Sequence, residues 1–299
     1  MRFHNFKNHH YTQMKLFQFQ RLYFLNILLL FILPFRTGLA QEEINPALID
    51  TDSWLTEQLT PGLTWKYKHF DSLFQSKQSI NILEIDLAHS LEMKVVYLDS
   101  GLQKTSVFGE QNDALAAING TFFNIKEGGS VCLLMANSKI INVNDPALNP
   151  QHGNGIIAMD SNKKVSVIAT PEGGTESLKS FQEVMSSGPL LLQNGAFMEL
   201  VQDKFNLNRH PRTAVGITDD NHLVLLTADG RNAEAAGLST KELAEFMKAL
   251  GCMDALNLDG GGSTTLWTKS KGVVNFPSDN KSFDHEGERE VANALVIRR

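Results

Sequence analysis

The run that most constrains this chain is Asn257-Leu258-Asp259 followed by three consecutive glycines, Gly260, Gly261 and Gly262, and then Ser263, Thr264 and Thr265. Adjacent glycines surrender more backbone entropy on folding than any other residues, so ordinary packing does not account for three of them. They suit a loop whose amide groups approach a ligand closely, and successive amides of this kind can form an anion nest. The competing reading is a tight turn capped by Asp259. No Lys follows the glycines, as a Walker-type phosphate loop would require, and no glycine stands two residues after Ser263, as a nucleophile elbow would require.

What leads into this loop is unusually legible. In Ser239 to Gly251 the apolar residues Leu243, Phe246, Met247 and Leu250 recur at helical spacing, Ser239 and Glu242 form a capping box, and Gly251 sits at the C-terminal glycine position. A second helical spacing, weaker, runs through Leu178, Phe181, Val184 and Met185. Most other apolar segments are short and bounded by turn residues. They include 63–70, 80–87, 94–98, 114–118, 155–159, 165–169, 213–217, 223–228, 255–258 and 293–297, all read as strands. The fold class expected is α+β, with a mixed, largely antiparallel sheet core and a few covering helices.

Charge narrows the partners. The net charge of -6 conceals a basic start, because the first 40 residues carry five Lys and Arg and no acid, leaving 22 basic against 33 acidic residues in positions 41–299. An acidic body gains nothing from counterion release on nucleic acid and is repelled by anionic membrane surfaces. An anionic substrate must then be gripped by a few local arginines. The basic start runs into the apolar stretch Leu22–Phe35 and ends on Gly38 and Ala40, the order of a secretory signal peptide cleaved after Ala40. The expected organisation is therefore a signal peptide at 1–40 and a single domain at 41–299, with a β-rich lead-in to 110 and a motif-bearing core from 111. The body is expected to be exported, periplasmic or secreted, with no stable membrane insertion after cleavage. Cys132 and Cys252 lie in apolar settings, and either a bridge or two buried thiols is compatible with export. No paired-histidine spacing offers a metal site, so no metal and no cofactor are expected.

Two further clusters carry chemistry. Asp219, Asp220 and Asn221 form the turn of a hairpin that brings Arg212 and Thr213 beside Asp229 and Arg231. Two arginines and a carboxylate at one sheet edge can grip a phosphate by bidentate bonds, or can stitch strands as a salt bridge. Earlier, an apolar strand runs into Asn119, Gly120 and Thr121 and then two aromatics, which serve either as core or as the wall of a sugar site. The Asn-Gly-Thr triplet also has the form of a glycosylation acceptor.

Taken in order, Ala117–Asn124, Ser186–Gly195, Pro211–Ile217, Ala228–Trp267 and Gly287–Ile297 resemble the phosphodiester glycosidase family. The resemblance implies hydrolysis between a sugar anomeric carbon and a phosphodiester oxygen, releasing free sugar and a phosphomonoester. It implies a site drawn from Asn119, Gly120, Arg212, Thr213, Asp229, Arg231, Asp259, Gly260, Gly261, Gly262 and Ser263, with a sugar phosphodiester as the partner. Asp259 is the first choice for the catalytic carboxylate and Asp229 the second, with Arg212 and Arg231 on the phosphate. Thr121 stands where members often carry glycine, a departure that points to a different substrate preference. Two readings from other classes stay open: a phosphodiesterase attacking phosphorus, which calls for a clustered two-metal site, and a glycan-binding module without turnover.

Overall fold

In the computed structural model, which describes residues 53–299, the hairpin expected around Asp219 and Asp220 lies at the centre of the largest sheet. The expected signal segment lies outside the described residues. Strands Arg212–Thr218 and His222–Ala228 pair from Arg212 opposite Ala228 to Ile217 opposite Leu223, with Asn221 in the left-handed conformation at the turn. Around them the sheet runs from Leu55–Thr60 through Leu63–Leu73, Ser76–Asp86, the hairpin, Cys252–Asn257 and Leu190–Gln193 to Ala196–Phe197. A second sheet orders Val165–Ala169, Gly155–Asp160, Phe181–Ser187, Leu134–Ala136 and Lys139–Asn142. A third orders Gly272–Val273, Leu266–Thr268, Ala116–Asn119, Asn293–Arg298 and Glu92–Tyr97. The ladders are antiparallel throughout, as in the pairing of Asn293–Arg298 with both its neighbours.

The period of two along a strand explains how one sheet serves two cores. In His222–Ala228, Leu223 and Leu225 enter one cluster, while Val224, Leu226 and Ala228 enter another. The first cluster takes one face of each sheet: Leu83 and Val215 from the large sheet, Ile157 and Met185 from the second, Ile118 and Leu295 from the third. The second lies on the outer face of the large sheet beneath the helix Thr240–Ala249, whose Leu243, Ala244, Phe246 and Met247 are all buried. That helix carries the expected capping box between Ser239 and Glu242, and Gly251 follows in the left-handed region at φ +86°.

The second expected helix is not one. Gly174–Leu178 is a short 3-10 turn and Phe181–Ser187 is a central strand paired on both sides. Its last five residues are buried, and a strand covered on both faces shows no alternation to set against a helical spacing. The cysteines are two separate buried free thiols, each pushed up to about 12 by burial.

Candidate active site

Asp259 is held by its main chain before its side chain is considered. One residue past the strand Cys252–Asn257, the Leu258 amide donates to the Thr213 carbonyl at 2.9 Å, and the Asp259 amide donates to the Gly120 carbonyl at 3.0 Å. From the other side the Asn119 amide group donates to the Asp259 carbonyl at 2.7 Å. The Asn119 side-chain oxygen accepts from the Thr213 hydroxyl at 2.8 Å and the Thr265 amide at 3.1 Å. Asn119 and Thr213 are fully buried, so they stand behind Asp259 and brace it. Burial also removes Asn119 from reach as a glycosylation acceptor. Gly120 is required by clearance, since a Cβ there would lie 2.1 Å from the Asn293 side-chain oxygen.

The glycine loop is shaped more by crowding than by free amides. The Gly260 amide donates to the Asp259 carboxylate at 2.9 Å and the Gly261 amide to the Pro211 carbonyl at 2.8 Å. Of the three glycine amides, that of Gly262 alone has no protein acceptor among the described residues. A Cβ on Gly260 would lie 2.7 Å from the Pro211 carbonyl oxygen, and one on Gly262 within 1.9 Å of the Asp279 carboxylate and 2.3 Å of the Arg289 guanidinium. Gly261 adopts φ +63°, and its Cβ would meet the Arg231 guanidinium at 2.9 Å. Ser263 is buried, its hydroxyl near enough to Asp259 to lower that carboxyl's pKa without closing a hydrogen bond of good geometry.

The cations divide sharply in role. Arg231 is exposed and makes no hydrogen bond or ion pair among the described residues, and its backbone sits in the left-handed region at φ +60°. A non-glycine residue there is strained by roughly 1–2 kcal/mol, a cost that collects at functional sites. Arg289, which sequence reasoning did not single out, reaches the same loop while paired with Asp279 at 2.7 and 2.9 Å. Arg212 is otherwise engaged. It is 1% exposed, and its guanidinium donates to the carbonyls of Leu238 at 2.9 Å, Asn208 at 3.1 Å and Phe205, with its Cζ 4.7 Å from the centroid of the Phe205 ring. Burial, then Arg231, lowers its pKa to about 10.

Asp229 forms no salt bridge with either arginine. It is buried, with one oxygen accepting from the Ser79 hydroxyl at 2.7 Å and the other from the Asn275 amide group at 3.0 Å and the Phe276 amide at 2.8 Å. Burial raises its pKa to about 6 against these three donors. Asp259 is also raised by burial, opposed by Ser263, the Gly260 amide, Arg289 and Arg231. The fold thus brings Asp259, the glycine loop, Ser263 and Arg231 to one place, adds Arg289, and sets Asn119, Thr213, Arg212 and Asp229 behind them. Arg289 escaped the sequence because it ends an irregular stretch from Asn275 with no apolar period, and only the return of that stretch brings it to the loop. The available signal was its place in Gly287–Ile297, one of the stretches that carry the family resemblance. Among the described residues no three His, Cys, Asp or Glu side chains stand together as a metal set.

The profile of the phosphodiester glycosidase family matches residues 112–298. The N-acetylglucosamine-1-phosphodiester alpha-N-acetylglucosaminidases of mouse and human are each 26% identical to this chain, over 55% and 56% of it and 33% and 34% of their own lengths. The chain therefore spans about a third of these relatives. In structure it is similar to the catalytic domain of the zebrafish enzyme of the same name, auto-inhibited by its pro-peptide, with a TM-score of 0.66 at 20% identity over 81% of this chain and 85% of the other. It is also similar to a hypothetical protein from Synechocystis, with a TM-score of 0.63 at 16% identity over 83% of this chain and 64% of that one. At these identities the structural likeness speaks to the fold.

Proposed function

Because the chain belongs to the phosphodiester glycosidase family, we propose that it hydrolyses the bond between a sugar anomeric carbon and a phosphodiester oxygen, releasing the free sugar and a phosphomonoester. The observation that carries this reading is the unpaired Arg231, held in a strained backbone against the glycine loop that follows Asp259. A protein that leaves a cation unpaired and its backbone strained beside a carboxylate has arranged a place for an anion. Arg231 and the Gly262 amide hold the phosphodiester, with Arg289, paired to Asp279, beside Gly262. Asp259 serves the anomeric carbon, either by activating water or by attacking it, as carboxylates do in glycosidases.

The bond that breaks is the one from the anomeric carbon to oxygen. The bridging oxygen stays with phosphorus, the water oxygen and one water proton go to the sugar, and the second proton goes to the phosphomonoester below its second pKa near 6 and to solvent above it. A departing phosphomonoester has a second pKa near 6, so it leaves with little protonation and the arginines replace the usual acid carboxylate. Burial raises the pKa of Asp259, which makes its carboxylate a stronger base toward water. The basic, apolar start of the chain supports a place of action outside the cytoplasm. The test is hydrolysis of a panel of sugar 1-phosphodiesters in oxygen-18 water. Label on the sugar is the expected outcome. Label on phosphate establishes attack at phosphorus, and binding without turnover establishes a glycan-binding module.

A further inference from the structure

Asp229 is a buried carboxylate, 1% exposed, whose two oxygens accept from three protein donors, so it is burial and not a shortage of lone pairs that sets it behind the loop. Two of those donors, the Asn275 side chain and the Phe276 amide, open the segment that ends at Arg289. The third, Ser79, belongs to strand Ser76–Asp86 of the large sheet. The carboxylate is therefore the joint between a rigid strand and the start of an irregular segment.

That segment is folded back on the joint. The Phe276 ring stacks on Phe283 at 4.0 Å and on His285 at 4.5 Å, and His285 Nδ1 lies 2.7 Å from the Asn275 carbonyl oxygen. The Asn275 side chain also donates to the Thr264 carbonyl at 3.1 Å, and its oxygen accepts from the Leu266 amide at 2.8 Å, so the joint touches the chain just past the glycine loop. At the segment's other end the Asp279–Arg289 pair packs into the space a side chain at Gly262 would fill.

We propose that Asp229 is a positioning residue: it pins the 275–289 segment so that Arg289 stands over the glycine loop, where it helps hold the phosphate of the substrate. It acts as an acceptor for three donors and not as an acid or base. An Asn side chain satisfies the same contacts, its oxygen facing Asn275 and Phe276 and its amide facing the Ser79 hydroxyl, which can turn its own proton toward Tyr67. An Ala side chain leaves all three donors unmatched.

The assignment rests on the glycosidase reading for the nature of the anion, and its test is built around inorganic phosphate so that binding is read without turnover. Phosphate affinity and steady-state hydrolysis are measured for the full chain and for Asp229→Ala, Asp229→Asn, Arg289→Ala and the double variant Asp229→Ala with Arg289→Ala. Asp229→Ala is expected to weaken phosphate by about tenfold or more, as Arg289→Ala does, with the double variant no weaker than Arg289→Ala alone. Asp229→Asn restores most of what Asp229→Ala loses, and the loss in Asp229→Ala appears in KM more than in kcat. If Asp229→Ala does not fold, Asn275→Ala removes one tie and its effect on phosphate disappears in the Arg289→Ala background. A well-folded Asp229→Asn with normal phosphate affinity and kcat down a hundredfold overturns the proposal, because the charge itself is then reacting. Independent, multiplying losses for Asp229→Ala and Arg289→Ala overturn it as well. Absence of sugar phosphodiester hydrolysis in the unaltered protein counts against the glycosidase reading and leaves the phosphate comparison to decide the pin.

Discussion

Each of the carboxylates and arginines at the site has a separable signature. Asp259→Asn keeps shape and much of the hydrogen bonding while removing the charge, so turnover should fall by at least about 100-fold with the fold retained, measured by kinetics beside circular dichroism. Arg212→Ala should behave differently. It orphans the carbonyls of Leu238, Asn208 and Phe205 in a buried place and should lower stability by roughly 2–4 kcal/mol in urea unfolding, whatever the substrate. Asp229 adds a pH signature whose sign is fixed by its raised pKa. Folded, it keeps its proton up to about pH 6, whereas the ordinary value is 3.8, so it favours the folded state below the ordinary value and withdraws that contribution as pH rises through about 6. The full shift is worth up to about 3 kcal/mol. The thermal midpoint of Asp229→Asn relative to the unaltered protein should therefore climb between pH 4 and pH 7 in paired thermal scans.

Among the elements, those with one strong local signal were legible in the chain itself. The helix Thr240–Ala249 starts at its capping box, and Ser239→Ala should cost about 1 kcal/mol in thermal unfolding while leaving KM unchanged. The central hairpin was legible from Asp219 and Asp220, because a turn between two apolar runs constrains both. Strand Phe181–Ser187 was not, since burial on both faces erased its alternation. The roles of the glycines were only half legible. Residue type announces close approach but cannot say to what, and two of the three amides turned out to serve Asp259 and Pro211. Arg212 and Asp229 were placed correctly at one end of the hairpin, yet their partners come from carbonyls and from the 275–276 pair, contacts that no local pattern encodes.

Over the whole molecule, a single buried carboxylate links two of the three larger sheets. Glu183, in the second sheet and fully buried, accepts from the Val95 amide at 3.0 Å and from Lys94 at 3.1 Å in the third, and from the Asn137 amide at 3.1 Å beside its own. Glu183→Ala leaves the buried Val95 amide without its acceptor, while Lys94 keeps Glu92 at 3.4 Å, and should cost about 1–3 kcal/mol in urea unfolding. The site depends on the same long-range assembly, since its parts come from residues 119–120, 211–213, 229–231, 259–263 and 289. What joins Asp259 to Gly120, and Gly261 to Pro211, is main chain bonding to main chain, with the neighbouring side chains asked chiefly to be absent. Such a junction does not depend on the spelling of the residues it joins. Substitutions around it can leave the geometry intact, whereas at Gly260 a side chain meets the Pro211 carbonyl oxygen 2.7 Å away, a main-chain neighbour that has no rotamer to turn aside.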